Sequence, residues 1–360
     1  MLFLCDKDNA IFLSKHQIYI QRCIDLAQNA KGKTYPNPMV GSVVVYKNKI
    51  IGEGWHQKSG EAHAEVNAIQ SVKDKSLLKK STIYVSLEPC SHYGKTPPCA
   101  DLIISHSIPK IVIGCLDPNP KVAGRGVKKL IEAGRKVIVG VLEEKCKNVN
   151  KRFFTFQQQK RPYIILKWAQ TKDGFIAPNN QQSGKPLWIT SSASKQLVHK
   201  WRNEEQAILV GTNTVLKDNP QLTNRLWEGS SPVRVVLDQH LKIDPKAAVY
   251  DDSAKTLILT SKKNTSQIAN QNIVYELVDF KKNLPKQICE LLFCHNLQSV
   301  IVEGGAQTLN TFIKENLWDE ARVFIGNITI DSGVKAPTFE YISKASQLIK
   351  QDILSYYYND

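Results

Sequence analysis

Nowhere in the 360 residues is there a run of 18 apolar positions, so no segment reads as a helix able to cross a bilayer. The stretch Met1 to Asp8 starts apolar but meets Asp6 and Asp8 at once, without the run that precedes a cleavage site, and no secretory signal is expected. Of eight cysteines, Cys5, Cys23, Cys115, Cys146, Cys289 and Cys294 are scattered without pairing spacing, which argues against a disulfide framework and fits a reduced, cytoplasmic protein. The pattern Gly-x-Gly-x-x-Gly does not occur, so a Rossmann dinucleotide site is not expected. Acid is scarce beside base: 33 Asp and Glu stand against 48 Lys and Arg, for a net charge of +15. The surplus is uneven, with 24 basic and 13 acidic residues in 1–158 against 24 and 20 in 159–360. Such a surface suits a phosphate-bearing substrate, RNA or plain solvation, so charge alone decides nothing.

The length exceeds one ordinary core and predicts two domains. The chemically informative stretch of the first runs His63-Ala64-Glu65, then Glu88-Pro89-Cys90-Ser91-His92, and on to Pro98-Cys99. One imidazole and two thiols are three zinc ligands with a fourth position open to water, the hallmark of a catalytic rather than a structural site. Glu65, two residues after His63 at a helix start, is placed to carry protons without becoming a ligand. His-x-Glu followed by Pro-Cys and a second Cys is the signature of zinc nucleobase deaminases. There the second Cys usually follows after two residues; here eight intervene, enough for substrate contacts. A closed structural zinc site is the alternative, with His92 as its fourth ligand, but it gives Glu65 nothing to do.

Read in order, the chain predicts an extension over 1–13 and a helix over Lys15–Ala30. A hairpin over Met39–Trp55 carries His56 toward the site, followed by a helix over 63–72 and strand Thr82–Leu87. Helix Pro98–Ser105, strand Ile111–Cys115, a helix to Ala133, strand Lys136–Val141 and a helix over Glu143–Gln159 complete a three-layer α/β domain over 14–158. Gln157 to Pro162 is polar and ends in a proline, which marks the boundary. Residues 159–360 alternate strands (Tyr163–Ala169, Ala207–Gly211, Val233–Asp238, Thr256–Thr260, Ser299–Glu303, Arg322–Ile325) with helical patterns, a second α/β domain. Within it, Val302-Glu303-Gly304-Gly305 runs from a strand into the helix Ala306–Lys314, a turn that lets a phosphate reach backbone N–H groups.

From about Ser14 onward the chain resembles the bifunctional riboflavin-biosynthesis deaminase/reductase family. The likeness rests on Asn37-Pro-Met-Val-Gly41, Gly60-Glu-Ala-His63-Ala-Glu65, Leu87 through Cys99, Asp117-Pro-Asn-Pro120 and Ala123-Gly-Arg-Gly126. In the second half it rests on Leu166-Lys167, Asp173-Gly174, Trp188-Ile-Thr-Ser191, Gly211-Thr-Asn-Thr214, Asp218-Asn-Pro220, Leu222-Thr-x-Arg225 and Val302 through Gly305. The resemblance implies a cytidine-deaminase-like domain acting with Zn2+ on a phosphoribosylated diaminopyrimidinone, then a dihydrofolate-reductase-like domain that uses NADPH to reduce ribosyl to ribityl. It places Asn37, His56, Lys95 and Asn119 on the deaminase substrate. Lys167, Arg202, Leu222, Arg225 and Glu303 fall on the reductase substrate. Gln170, Trp188, Thr214, Asp218, Gly304, Gly305 and Thr308 fall on NADPH.

Taken as residues alone, Trp188 could be core packing, Arg202 a helix-surface charge, and Asp218 a cap for the turn at Asn219-Pro220. Two departures from the family pattern stand out. Pro186 occupies a longer loop where the family has Ser, with Ser183 as the candidate replacement, and Asn327 to Asp331 is atypical. The expected assembly is a homo-oligomer with neither nucleic acid nor membrane as partner. A competing class is a nucleobase or RNA deaminase whose C-terminal domain is a non-catalytic scaffold.

Overall fold

The computed structural model describes residues 7–93, 97–119, 123–179, 187–263, 271–337 and 341–359, with side chains from Lys15 onward. Lys95, Ser183 and Pro186, named above, lie outside the described residues, as do residues 1–6. The chain divides into two compact units, 1–159 and 160–360.

In the first unit α1 (Lys7–Gln28) precedes the hairpin of β1 (Gly41–Tyr46) and β2 (Lys49–Trp55). The hairpin turns at Lys47 and Asn48, both at positive φ, as a tight two-residue connection requires. Then follow α2 (Ala64–Ser71), β3 (Thr82–Leu87), α3 (Cys99–Ser105), β4 (Lys110–Cys115), α4 (Arg125–Glu132), β5 (Lys136–Val139), α5 (Glu143–Val149) and α6 (Lys151–Gln159). The strands order as β2-β1-β3-β4-β5, with β1 antiparallel to β2 and β3, and β3, β4 and β5 parallel. Alternation along each strand feeds two cores. Val43, Val45, Tyr84 and Val112 pack with Ile20, Cys146 and Phe153 on the face covered by α1, α5 and α6. Val44, Ile83, Val85, Ile111 and Ile113 pack with Ala68, Ile103 and Leu130 under α2, α3 and α4. Each such aliphatic side chain contributes about 1.5–3 kcal/mol on burial, so a one-residue slip of any strand would forfeit both cores at once.

Two helical expectations need correction. The first helix begins at Lys7 rather than Lys15, because nothing from Lys7 to Ser14 is a Gly or Pro that would stop it. The helix expected over Glu143–Gln159 is two, broken at Asn150, whose side chain is drawn away onto Met39.

The second unit runs β6 (Tyr163–Gln170), β7 (Phe175–Ala177), α7 (Ser192–Glu204), β8 (Ala207–Gly211), α8 (Thr212–Asp218), β9 (Val233–Leu237), β10 (Thr256–Thr260) and β11 (Ile273–Leu277). It continues with α9 (Leu284–Cys294), β12 (Ser299–Gly304), α10 (Ala306–Lys314), β13 (Glu320–Ile325), β14 (Val334–Lys335), β15 (Ala345–Ile349) and β16 (Asp352–Tyr358). Among the described residues a nine-stranded sheet forms in the order β11-β10-β9-β8-β12-β6-β13-β16-β15. It is parallel from β11 to β13 and closed by the antiparallel pair β16 and β15. Leu166, Leu209, Val300 and Val302 bury against Ile288, Leu292, Leu309 and Phe312 on one face. Ile165 and Ile301 meet Val198 and Trp201 of α7 on the other. Arg161 grips Asp319 with both guanidinium nitrogens, at 2.6 and 2.7 Å, and so aligns the start of β6 with that of β13.

One close approach tests the first unit. A Cβ on Gly41 would lie 2.0 Å from the backbone oxygen of Cys23, so α1 seats on β1 only because that position is bare. We expect Gly41→Ala to destabilise the first unit by about 1–3 kcal/mol, the range for overpacking. Urea unfolding followed at that unit should show an earlier midpoint, with the second unit unmoved.

Candidate active sites

Both sites lie where parallel strands end and helices begin. In the first unit β3 runs out into Glu88-Pro89-Cys90, Pro98 caps α3 so that Cys99 is its first residue, and His63 caps α2. His63 Nδ1 is 3.6 Å from Cys90 Sγ and 3.3 Å from Cys99 Sγ, and the three ligand atoms all lie within 4.8 Å of one another. That donor set, one nitrogen and two sulfurs, fits tetrahedral zinc with a position to spare. His92 is exposed and is not among the three residues whose ligand atoms converge. The Cys99 amide donates to Cys90 Sγ at 3.3 Å. The Cys99 thiol, with that amide and His63, draws the Cys90 pKa down to about 4, while Cys99 itself is pushed up.

Glu65 sits in the first turn of α2 and is 3 % exposed. Burial, helped by the Cys90 charge, pushes its pKa up to about 7. His56 is also buried, its Nδ1 3.1 Å from the Ala62 carbonyl and its Nε2 3.2 Å from the Asn37 amide nitrogen. A neutral ring with its proton on Nδ1 satisfies both contacts, and burial lowers its pKa accordingly. Its ring meets that of His63 edge-on, 5.4 Å between centres. Asn37, His56, His63, Glu65, Cys90 and Cys99 are thus one cluster.

Asn119 is half-buried in the loop after β4, where its backbone N–H is held by Asp117 Oδ1 at 2.8 Å. That loop is fixed by a residue whose role sequence reasoning missed. Glu88, 4 % exposed, accepts the N–H groups of Gly124, Asp117, Gly126 and Val127 at 2.9–3.3 Å. A Cβ on Gly126 would lie 2.1 Å from the Pro89 oxygen, which explains the glycine. An acid ending a buried strand one residue before Pro-Cys was the available signal.

In the second unit Glu303, at the end of β12, meets Arg202 Nη2 at 3.0 Å and Lys167 Nζ at 3.8 Å, with all three side chains at most 15 % exposed. Burial pushes the Glu303 pKa up, but the charges of Arg202 and Lys167 outweigh it and hold the carboxyl below its ordinary value. Arg202 is therefore no surface charge. Arg202 Nη1 and Arg225 Nη1 both reach Thr223, at its carbonyl (3.2 Å) and hydroxyl (2.8 Å) respectively. Arg225 is also held through its backbone N–H on His199 Nδ1 at 2.9 Å. Burial and the two arginines lower the His199 pKa to about 4, so it is a neutral acceptor. His199 went unnoticed in the sequence, and Thr223 was read only as part of Leu222-Thr-x-Arg225, with no role of its own. Leu222, buried at φ 58°, precedes this group.

Gly304, Gly305, Thr308 and Thr214 also converge. The Gly304–Gly305 peptide is cis, a Cβ on Gly305 would lie 3.6 Å from Thr214 Oγ1, and one on Gly211 2.8 Å from Thr308 Oγ1. The N-termini of α8 and α10 therefore adjoin. Gln170 ends β6 and accepts the Trp168 indole N–H at 2.8 Å. Trp188 is 62 % exposed with Lys195 Nζ 3.8 Å from its ring centre, so it is not core. Asp218 ends α8. The geometry of Trp188, Gln170 and Asp218 does not itself join them to the Gly-Gly turn.

Residues 13–115 match the cytidine and deoxycytidylate deaminase zinc-binding region, and residues 162–343 match the RibD C-terminal domain. The riboflavin biosynthesis protein RibD of Aquifex aeolicus is 44 % identical over 322 residues, 88 % of either chain. The chain belongs to the RibD family. It is accordingly a zinc-dependent deaminase joined to an NADPH-dependent reductase of riboflavin biosynthesis. A Thermotoga maritima crystal structure described as a diaminohydroxyphosphoribosylaminopyrimidine deaminase/5-amino-6-(5-phosphoribosylamino)uracil reductase superposes with TM-score 0.86 at 36 % identity, over 96 % of this chain and 99 % of that one. Acinetobacter baumannii RibD gives 0.87 at 31 %, with the same coverage. RibD relatives thus span both units, which sets aside a non-catalytic scaffold for the second. Among the described residues no helix is long and apolar enough to cross a membrane.

The paired thiols give a direct test. In chelator-stripped protein, iodoacetamide should label Cys90 ahead of buried Cys99 and already at pH 6, because a thiol with pKa about 4 is thiolate at every pH above that value. Added zinc should protect both. Equal labelling of the two, read by peptide mass spectrometry, or a Cys90 rate that rises only above pH 8, would contradict the arrangement.

Proposed function

We propose that the first unit deaminates a 2,5-diamino-6-(5-phosphoribosylamino)pyrimidin-4-one and that the second then reduces the ribosyl group to ribityl. The observation that carries this is the pair of clusters: a histidine–dithiol group with a buried carboxylate beside it, and a cationic pocket with one fixed carboxylate.

His63, Cys90 and Cys99 would hold zinc, whose Lewis acidity makes water nucleophilic near neutral pH. Glu65 is the catalytic proton carrier. It takes up the two protons of the attacking water in turn, passing the first to the ring nitrogen and the second to the amino group, which leaves as ammonia. Neutral His56 fixes the Asn37 amide, so that the Asn37 oxygen and its remaining N–H face the pyrimidine, while Lys95 and Asn119 complete the substrate contacts. In the reductase, Lys167, Arg202 and Arg225 bring three cations against the single carboxylate Glu303, a net +2 suited to a phosphate dianion. Leu222 packs beside the substrate and Glu303 binds its hydroxyls. NADPH supplies the hydride; its phosphates would lie on the N–H groups at Gly304, Gly305 and Thr308, with Thr214, Asp218, Trp188 and Gln170 as further contacts. The enzyme works as a cytoplasmic homo-oligomer on a small molecule rather than a nucleic acid, and the basic surplus of residues 1–158 attracts that phosphate.

Ammonia release and NADPH absorbance follow the two reactions separately. Glu65→Gln should keep zinc and the reductase but lower deamination by about a hundredfold or more, because Gln has the shape and cannot carry the proton. A Gln variant with near wild-type turnover would remove Glu65 from the mechanism. Arg225→Lys should weaken pyrimidine binding in the reductase with NADPH affinity unchanged, since a point charge replaces a two-pronged donor. Weakened NADPH binding with intact substrate affinity would reassign that arginine to the cofactor.

A further inference from the structure

The helical pattern over 143–159 breaks at Asn150, which is 3 % exposed and sits at φ −103°, ψ 19° between α5 and α6. Its side chain pairs with the backbone of one distant residue. Oδ1 accepts the Met39 N–H at 2.7 Å, and Nδ2 donates to the Met39 carbonyl at 2.8 Å. A primary amide can do this because it presents donor and acceptor in one plane, as a neighbouring strand would. Asn150 is itself fixed: its N–H bonds the Lys147 carbonyl at 3.0 Å, its carbonyl accepts from Phe154 at 2.9 Å, and Phe153 and Phe154 are buried in the core.

Met39 stands between two points that locate His56. On one side, Asn37 Nδ2 meets His56 Nε2 at 3.2 Å; on the other, the Val40 carbonyl accepts the His56 N–H at 2.9 Å. The residue whose two peptide groups Asn150 holds therefore lies on the segment that sets the spacing of Asn37 and His56. Asn150 lies beyond residue 115, where the matched zinc-binding region ends.

We infer that Asn150 is a positioning residue of the deaminase, acting through Met39 on Asn37 and His56 to shape the pyrimidine subsite. This rests on the reading of Asn37 as a substrate contact. The test uses full-length, zinc-loaded protein carrying Asn150→Ala, Asn150→Asp or Asn37→Ala. The Asp variant keeps an acceptor for the Met39 N–H but sets an oxygen against the Met39 carbonyl. Both Asn150 variants should raise the deaminase KM about tenfold with kcat within about twofold, at unchanged zinc content and reductase rate. A merely structural role would instead lower kcat and zinc content together at constant KM, and that result overturns the inference. Should Asn150→Ala not fold, Asn150→Asp decides alone, and a wild-type KM there is equally fatal. If Asn37→Ala raises KM while the Asn150 variants do not, only this inference falls. If Asn37→Ala leaves KM unchanged, the reading of Asn37 falls and takes this route with it.

Discussion

A carboxylate taken out of water must find donors or surrender its charge, and much of this molecule follows from how three of them are treated. Glu88 is given four backbone N–H groups, so it stays where the fold needs it and ties the Asn119 loop to the strand that delivers Cys90. Glu303 is given Arg202 and Lys167, which more than offset its burial. Glu65 is buried as deeply, and there burial is the larger influence. Glu88 is held by backbone donors, Glu303 by cations that keep its pKa below the ordinary value, and Glu65 is left with burial pushing its pKa up. The difference lies in the neighbours that the strand ends and helix starts supply, since the side chains are the same.

The sequence carried most of the first site, because its chemistry is compressed into two short segments. His63 and Glu65 share one helix start, and Cys90 and Cys99 bracket one loop, so ligand identity and spacing were readable without a fold. Strand existence was equally legible, since short β-branched and aliphatic runs bounded by turn residues read as strands buried on both faces; Thr82–Leu87, Ala207–Gly211 and Thr256–Thr260 are strands at the residues expected. What could not be read were contacts made across long stretches of chain. Asn150 looks like any polar residue in a helix until Met39 is brought to it, 111 positions away. His199 looks like a helix-surface residue until Arg225 and Arg202 arrive beside it. Asp352 closes the last strand pair, yet it accepts from the Ser191 N–H, the Ser191 hydroxyl and the Ser194 hydroxyl at the start of α7. Each of these depends on a tertiary approach that periodicity does not encode.

The two halves treat their buried carboxylates differently, burial dominating at Glu65 and cations at Glu303. Deamination moves protons between water, ring and amine, so it wants a buried carboxyl able to accept and to donate them beside the group that would hold zinc. In the reductase, Arg202 and Lys167 outweigh the burial of Glu303 and keep its pKa below the ordinary value. Placed together, the cations of the second site and the carboxyl of the first would perturb one another. Conversely, an uncompensated acid beside the phosphate would weaken binding of that phosphate. Separate units let one chain keep a pliable carboxylate and a fixed one at the ends of two different strand sets, each tuned by its own neighbours.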